Sequence, residues 1–186
     1  MLNLDSTAGA ATRDQATVTS AGASLASVIE GVVTTSPVNH VDHRGRVFEV
    51  WPGAVSDFWK DPVVYCYTFT VRADQTKGWG LHQYKDDRYT LIAGEVLTVL
   101  YDARVASPTH GLVQKVTLTP QGARQLLIPR GVWHININLA PTESFLINHP
   151  TQVYEHGTPD RLLLPWNTDA IPFDVNAVLP NQLRAR

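Results

Sequence analysis

Two histidines, His82 and His134, sit in stretches whose residue types and spacing could support chemistry. His82 lies in Trp79-Gly80-Leu81-His82-Gln83-Tyr84, where a period of two puts His82 and Tyr84 on one face and Leu81 and Gln83 on the other. An imidazole titrates near neutrality, so a histidine beside a phenol is a candidate base and acid, although such a pair also serves as a structural hydrogen bond. His134 lies in Val132-Trp133-His134-Ile135-Asn136-Ile137-Asn138-Leu139. There Trp133, Ile135, Ile137 and Leu139 share one face, and Val132, His134, Asn136 and Asn138 share the other. The apolar row must pack, while the polar row either faces solvent or lines a cavity.

Other chemistries find less support. A metal centre needs three or four converging His or carboxylate ligands, and metal-binding cupins carry His-x-His with a nearby Glu in one motif and a further His in another. Here the first segment has His82 with Tyr84 in the second imidazole's place, and the later segment has His134 alone. Two imidazoles are an incomplete set, so no metal and no other cofactor is assigned. His40 and His43 flank a turn-like Val-Asp and are read as exposed; His110, His149 and His156 fall in loops or polar stretches. Cys66 lies in a strand-like run without a base beside it and is read as a buried thiol. The chain has no Gly-x-Ser-x-Gly elbow, no phosphate-binding Walker loop and no dinucleotide fingerprint, so hydride and phosphoryl transfer drop out.

The elements that must hold these residues are strands. In Val64 to Val71, Tyr65, Tyr67, Phe69 and Val71 alternate with Cys66, Thr68 and Thr70. Further strand-like runs span Tyr89 to Ile92, Glu95 to Tyr101, Leu112 to Leu118, Gln125 to Ile128, Val132 to Leu139 and Ser144 to Ile147. Gly- and Pro-bearing turns separate them at short spacing, which indicates an antiparallel sandwich or barrel. Only Gly53 to Lys60 and Asn176 to Arg186 suit a helical turn or two. Residues 1–27 are rich in Ala, Ser and Thr with no aromatic residue and no sustained period, the composition of a disordered leader; residues 28–186 read as one domain.

Composition narrows the ligand. The 186 residues are 44% hydrophobic, with 15 Lys and Arg against 17 Asp and Glu and one cysteine, so the chain is neither disordered overall nor a disulfide scaffold. A formal charge of −2 supplies no pull toward nucleic acid or anionic membrane surfaces. No apolar run is long enough to span a bilayer, and a basic, apolar-cored leader is missing, so a cytoplasmic location is expected. A small-molecule ligand is the expected partner.

Several short motifs carry a resemblance. Asp42-His43-Arg44-Gly45 with Glu49, Gly80-Leu81-His82, Gly94-Glu95-Val96, Asp102-Ala103-Arg104, Ser107-Pro108-Thr109 with Gly111, Arg124 to Pro129 with Gly131 and His134, and Trp166-Asn167 resemble, in order and nearly in register, the dTDP-4-dehydrorhamnose 3,5-epimerase family. The match spans about residues 40–175 and is almost free of gaps from Gly94 to His134. It implies an all-β, cupin-type antiparallel jelly-roll barrel with few short helices.

The resemblance also implies cofactor-free epimerisation of a 4-keto nucleotide sugar, in which a base removes a proton beside the ketone and an acid returns one to the other face. His82 matches the family base and His134 a pocket histidine, which favours the reading that His134, Asn136 and Asn138 enter the barrel. The family's substrate Arg is Trp79 here, its acid Tyr falls at Ile147 or Asn148, its phosphate-contacting Lys falls near Asp87 and Arg88, and its orienting C-terminal Asp has no counterpart in Asp174 to Arg186. The expected set is therefore His82 as base, Tyr84 or Tyr154 as proton donor, and His134, Arg88, Trp79, Asn136 and Arg44 around the substrate. Two alternatives stand beside it: a catalytically silent cupin that binds a sugar or other small polar ligand, with Trp79 and Tyr84 as stacking surfaces, and a cofactor-free lyase or cyclase using the same enolate. The resemblance further implies a homodimer in which a strand near Val32 to Val38 crosses to the partner and Trp133, Ile135, Ile137 and Leu139 are covered.

Overall fold

The computed structural model describes residue 9 and residues 11–179. Alternating side chains and closely spaced turns resolve into twelve strands: β1 (Val33–Thr35), β2 (His40–Asp42), β3 (Gly45–Val47), β4 (Tyr67–Val71), β5 (Thr76–His82), β6 (Asp87–Ala93), β7 (Val96–Asp102), β8 (Val113–Leu118), β9 (Gln125–Ile128), β10 (Val132–Asn138), β11 (Ser144–Asn148) and β12 (Arg161–Leu163). One five-stranded sheet runs β1-β9-β6-β11-β4, the other β12-β5-β10-β7-β8, and every pairing is antiparallel. β2 and β3 form a separate, fully exposed hairpin.

Side chains from both sheets close the core between them. Leu91 and Leu126 of one sheet and Leu100 and Leu118 of the other are completely buried together. Fully removing a leucine side chain from water contributes about 1.5–3 kcal/mol, so this layer fixes which strand faces turn inward. A second apolar layer lies on the outer face of the β5-β10-β7 sheet. Trp79, Ile135 and Ile137 pack there against Ile171, Val175 and Leu179, which belong to the chain's own C-terminal segment.

The structure departs from several expectations. Gly53 to Lys60 forms bends without a helix, and the C-terminal segment holds a 3-10 turn over Val175–Ala177; residues 180–186 lie outside the described region. Cys66 is exposed and precedes β4, because that strand begins at Tyr67, three residues after the start of the alternating run at Val64. The apolar row of β10 is covered within the chain, and β1 pairs with β9 of the same chain. Of the leader, residues 11–27 are exposed and carry a turn closed by the Thr19 amide on the Ala23 carbonyl. No helix among the described residues is long and apolar enough to cross a membrane.

Two of the motifs that carry the resemblance have structural explanations. Asp102 at the end of β7 is buried and accepts hydrogen bonds from Arg104, Ser107 and Thr109, so one carboxylate organises the following loop. These donors outweigh the effect of burial and hold its carboxyl well below the ordinary range. Gly94 turns the chain between β6 and β7 at φ +88, a conformation that favours glycine.

Candidate active site

The period of two sends the functional side chains into the space between the sheets. On β10, His134 and Asn136 face a cavity of about 530 Å³. On β6, Asp87 and Tyr89 enter the same space; on β5, Gly78, Gly80 and His82 do so, and β4 adds Tyr67 and Phe69. Lys77, Arg161 and Trp166 complete its polar and aromatic lining. Gly80 leaves the ring of His134 uncovered, since a β-carbon there would sit 3.5 Å from His134 Nε2.

The chemical centre is a pair of imidazoles sharing one carboxylate. His82 Nε2 lies 3.4 Å from Asp87 Oδ2, and His134 Nε2 lies 3.7 Å from the same oxygen. The other nitrogen of each ring faces a backbone carbonyl: His82 Nδ1 is 3.2 Å from Asp160 O, and His134 Nδ1 is 3.4 Å from Val132 O. A carbonyl only accepts, so both rings carry hydrogen on Nδ1 and turn Nε2 toward the cavity. Asp160 adds its carboxylate 3.8 Å from His82 Nδ1 while accepting the amides of Gln83 and Tyr84.

Asp87 is itself held in place. Asn148 Nδ2 donates to Asp87 Oδ1 at 2.7 Å, and the Tyr89 hydroxyl donates to Oδ2 at 3.3 Å. Burial alone would raise the Asp87 carboxyl, but its bond to His82, the charge of His82 and His134, and the bond from Asn148 hold it down to about 2. Burial lowers His134, with the neighbouring His82 acting in the same direction against the pull of Asp87. Burial also raises both phenols, helped by the negative Asp87, with Tyr67 pushed up to about 12 and Tyr89 well above its ordinary value. Both therefore remain protonated near neutral pH. The Tyr67 oxygen accepts from Asn148 Nδ2 at 2.8 Å, which leaves its own hydrogen uncommitted.

Of the residues expected from the sequence, the fold brings His82, His134 and Asn136 together. Tyr84 is not with them: β5 ends at His82, the chain bends so that Asp160 can accept two successive amides, and Tyr84 is left 62% exposed. Tyr154 lies outside the cavity with its ring 4.9 Å from His156 and Lys85 Nζ 5.4 Å above it. Arg88 alternates with Asp87 and so points outward, donating to the carbonyls of Asp61, Pro62 and His149 over the ring of Trp59. Trp79 alternates with Gly80 and packs on the outer layer against Phe173. Arg44 is exposed on the β2–β3 turn and pairs with Asp42. Asn138 is buried but structural, donating to the carbonyls of Val71 and Thr142.

Sequence reasoning missed Asp87, Tyr67, Tyr89, Asn148 and Asp160. Asp87 and Tyr89 carried a usable signal: counted by twos within the strand after His82, they share a face that excludes Arg88. A larger groove of about 780 Å³ lies between β1 and the hairpin, but its titratable residues His40, Glu49 and Asp57 are all exposed, so it lacks a comparable cluster.

Comparison with known proteins agrees with this architecture. Residues 26–182 match the family model described as dTDP-4-dehydrorhamnose 3,5-epimerase. The chain is 29% identical over 139 residues to a probable low-salt glycan biosynthesis epimerase, Agl13, of Haloferax volcanii, covering 74% of this chain and 88% of that protein. The fold is similar to that of a dTDP sugar isomerase from Desulfovibrio desulfuricans, with a TM-score of 0.71, 24% identity, and coverage of 78% of this chain and 91% of that one. It is also similar to an epimerase from Legionella pneumophila solved with dTDP-4-keto-L-rhamnose, with a TM-score of 0.63, 22% identity, and coverage of 75% and 76%.

Proposed function

Because the chain belongs to the dTDP-4-dehydrorhamnose 3,5-epimerase family, we propose that it is a cytoplasmic isomerase of a 4-keto nucleotide sugar, with a single cupin domain over residues 28–186. The observation that carries this reading is His82, buried in the cavity with Nδ1 against the Asp160 carbonyl and Nε2 directed inward toward Asp87. That arrangement presents a lone pair to a substrate carbon and supplies a carboxylate for the imidazolium that forms.

In this reaction His82 Nε2 takes the proton from a carbon beside the ketone, and the C–H electron pair moves into the enolate. Asp87 stabilises the resulting imidazolium, while Lys77 and Arg161, both lining the cavity, provide positive charge for the enolate oxygen and a diphosphate. Tyr67 returns a proton to the opposite face of the carbon and recovers one from solvent, to which the His82 imidazolium gives up its own. Tyr67 is opposite Asn148 in the β4–β11 register, next to the position where the family acid would fall. The donor role thus moves from Tyr84 and Tyr154 to the adjacent strand, and His134 and Asn136 position the sugar. The bound dTDP-sugar of the Legionella relative supports this ligand class.

The test is exchange of solvent deuterium into a panel of 4-keto nucleotide sugars. The wild-type chain incorporates label and His82→Ala loses it by about 10²–10⁴-fold with the fold intact. Undiminished incorporation by His82→Ala overturns the assignment of the base; binding without incorporation by the wild type replaces the enzyme reading with a sugar-binding one.

A further inference from the structure

Asn148 stands in the middle of a row that crosses three strands. It pairs with Tyr67 of β4 on one side and with Tyr89 of β6 on the other, and Asp87 lies two residues before Tyr89 on the same cavity-facing side. Asn148 is completely buried, and both polar atoms of its amide are committed. Its oxygen accepts from the Arg88 amide at 3.0 Å, while Nδ2 donates to Asp87 Oδ1 at 2.7 Å and to the Tyr67 hydroxyl oxygen at 2.8 Å.

Chemistry fixes the direction of these bonds. Turned over, the amide would set its own N–H groups against the Arg88 N–H and its oxygen against the Asp87 carboxylate, so donor would face donor and acceptor would face acceptor. The β6 backbone and the Asp87 charge therefore hold both N–H groups toward the carboxylate and the phenol. The Tyr67 oxygen receives a hydrogen bond from Asn148 and cannot give one back. Among the described residues no acceptor takes the Tyr67 hydrogen, and Tyr67 lines the cavity, so that hydrogen is available to an enolate there.

The same bond strengthens once the proton has left. When the new C–H bond forms from the enolate's electron pair, the O–H pair stays on Tyr67 as a phenolate. Burial and the nearby Asp87 charge oppose that anion, while the Asn148 N–H and the charge of Arg161 favour it. A hydrogen bond to an ion is about twice as strong as one between neutral groups. Asn148 thus interacts more strongly with the donor after transfer than before it, and only such a difference accelerates a step.

We propose that Asn148 is the positioning residue for proton return: its amide turns the Tyr67 hydrogen toward the substrate and stabilises the phenolate left by the transfer. The proposal rests on His82 as base and Tyr67 as donor, and adds to them the residue through which the donor works.

Label exchange and inversion are followed together by NMR, in deuterated solvent, on a 4-keto nucleotide sugar that the wild-type chain labels, dTDP-4-keto-L-rhamnose being the first tried. Without an effective phenol, the carbon that His82 deprotonates is reprotonated from the same side, so label enters without inversion. Asn148→Ala should lower the ratio of inversion to exchange by about 10–100-fold. Asn148→Asp, which keeps the shape but offers Tyr67 no N–H, should lower it as well. Damage to His82 or Asp87 slows both events and cancels in the ratio. Combined with Tyr67→Phe, Asn148→Ala should change the ratio no further, because it acts through the phenol. An unchanged ratio in the Asn148 variants, or an equal further loss on top of Tyr67→Phe, overturns the proposal and leaves base and donor in place. Inversion by Tyr67→Phe at the wild-type rate removes the donor and the proposal with it, and a wild-type chain that labels no sugar removes the enzyme reading as well. If Asn148→Ala fails to fold, the ratio in Asn148→Asp decides.

Discussion

Replacing Asp87 by Asn tests the centre at the level of stability. Asn approximates the shape of a protonated carboxyl group and can still accept from Asn148, but it removes the charge that faces His82 and His134. The Asp87 carboxyl is held from 3.8 down to about 2 in the folded chain. A tenfold change in proton affinity corresponds to about 1.4 kcal/mol, so ionised Asp87 contributes about 2 kcal/mol. Because the folded value is the lower one, the unfolded chain binds the proton first as pH falls. The contribution is complete above about pH 4 and is lost as pH falls toward 2.

Asp87→Asn should therefore be about 2 kcal/mol less stable than the wild type at pH 7, with the difference closing between pH 4 and pH 2. With a urea dependence of about 2 kcal/mol per molar, the midpoint moves down by about 1 M. Urea titrations at fixed protein concentration, followed by two independent probes, provide the measurement. A variant as stable as the wild type at pH 7, or a gap that persists at pH 2, would show that the two imidazoles do not sustain the Asp87 charge and would refute the electrostatic account.

Three further outcomes are expected. Tyr67→Phe should retain deuterium exchange by His82 but slow formation of the inverted sugar by about 10²–10⁴-fold, whereas Tyr89→Phe, whose hydroxyl is committed to Asp87, should slow it far less; sugar stereochemistry by NMR distinguishes them. Gly94→Ala should cost about 2–4 kcal/mol in chemical denaturation, because its β-carbon would collide with the Ser144 hydroxyl and lie 2.7 Å from Ser144 Cα at a positive φ. The homodimer that the resemblance implies should return about twice the 20.5 kDa chain mass in light scattering, and a mass of one chain would refute it.

Much of the scaffold was legible in the sequence. A strand writes its burial into alternate residues, so the limits of β8, β9, β10 and β11 fall within one residue of where alternation and turns place them. The polar row of β10 was visible for the same reason, although only the outer cover from Ile171, Val175 and Leu179 decided that its apolar row faces away from the cavity. The resemblance singled out His82 and His134. The rest of the site was less accessible because alternation holds only while the strand continues. Carried past His82, it placed Tyr84 beside the base, but the Asp160 carboxylate bends the chain there.

The residues that give His82 its setting come from separate stretches of chain: Asp87 from β6, Tyr67 from β4, Asn148 from β11 and Asp160 from the segment before β12. Their types were readable, but their convergence was not. Local periodicity determines which face a side chain occupies, whereas antiparallel pairing and sheet packing determine what stands opposite it. The sequence by itself therefore marked seven of the twelve strands and singled out the two imidazoles, and only the tertiary structure placed a common carboxylate between them.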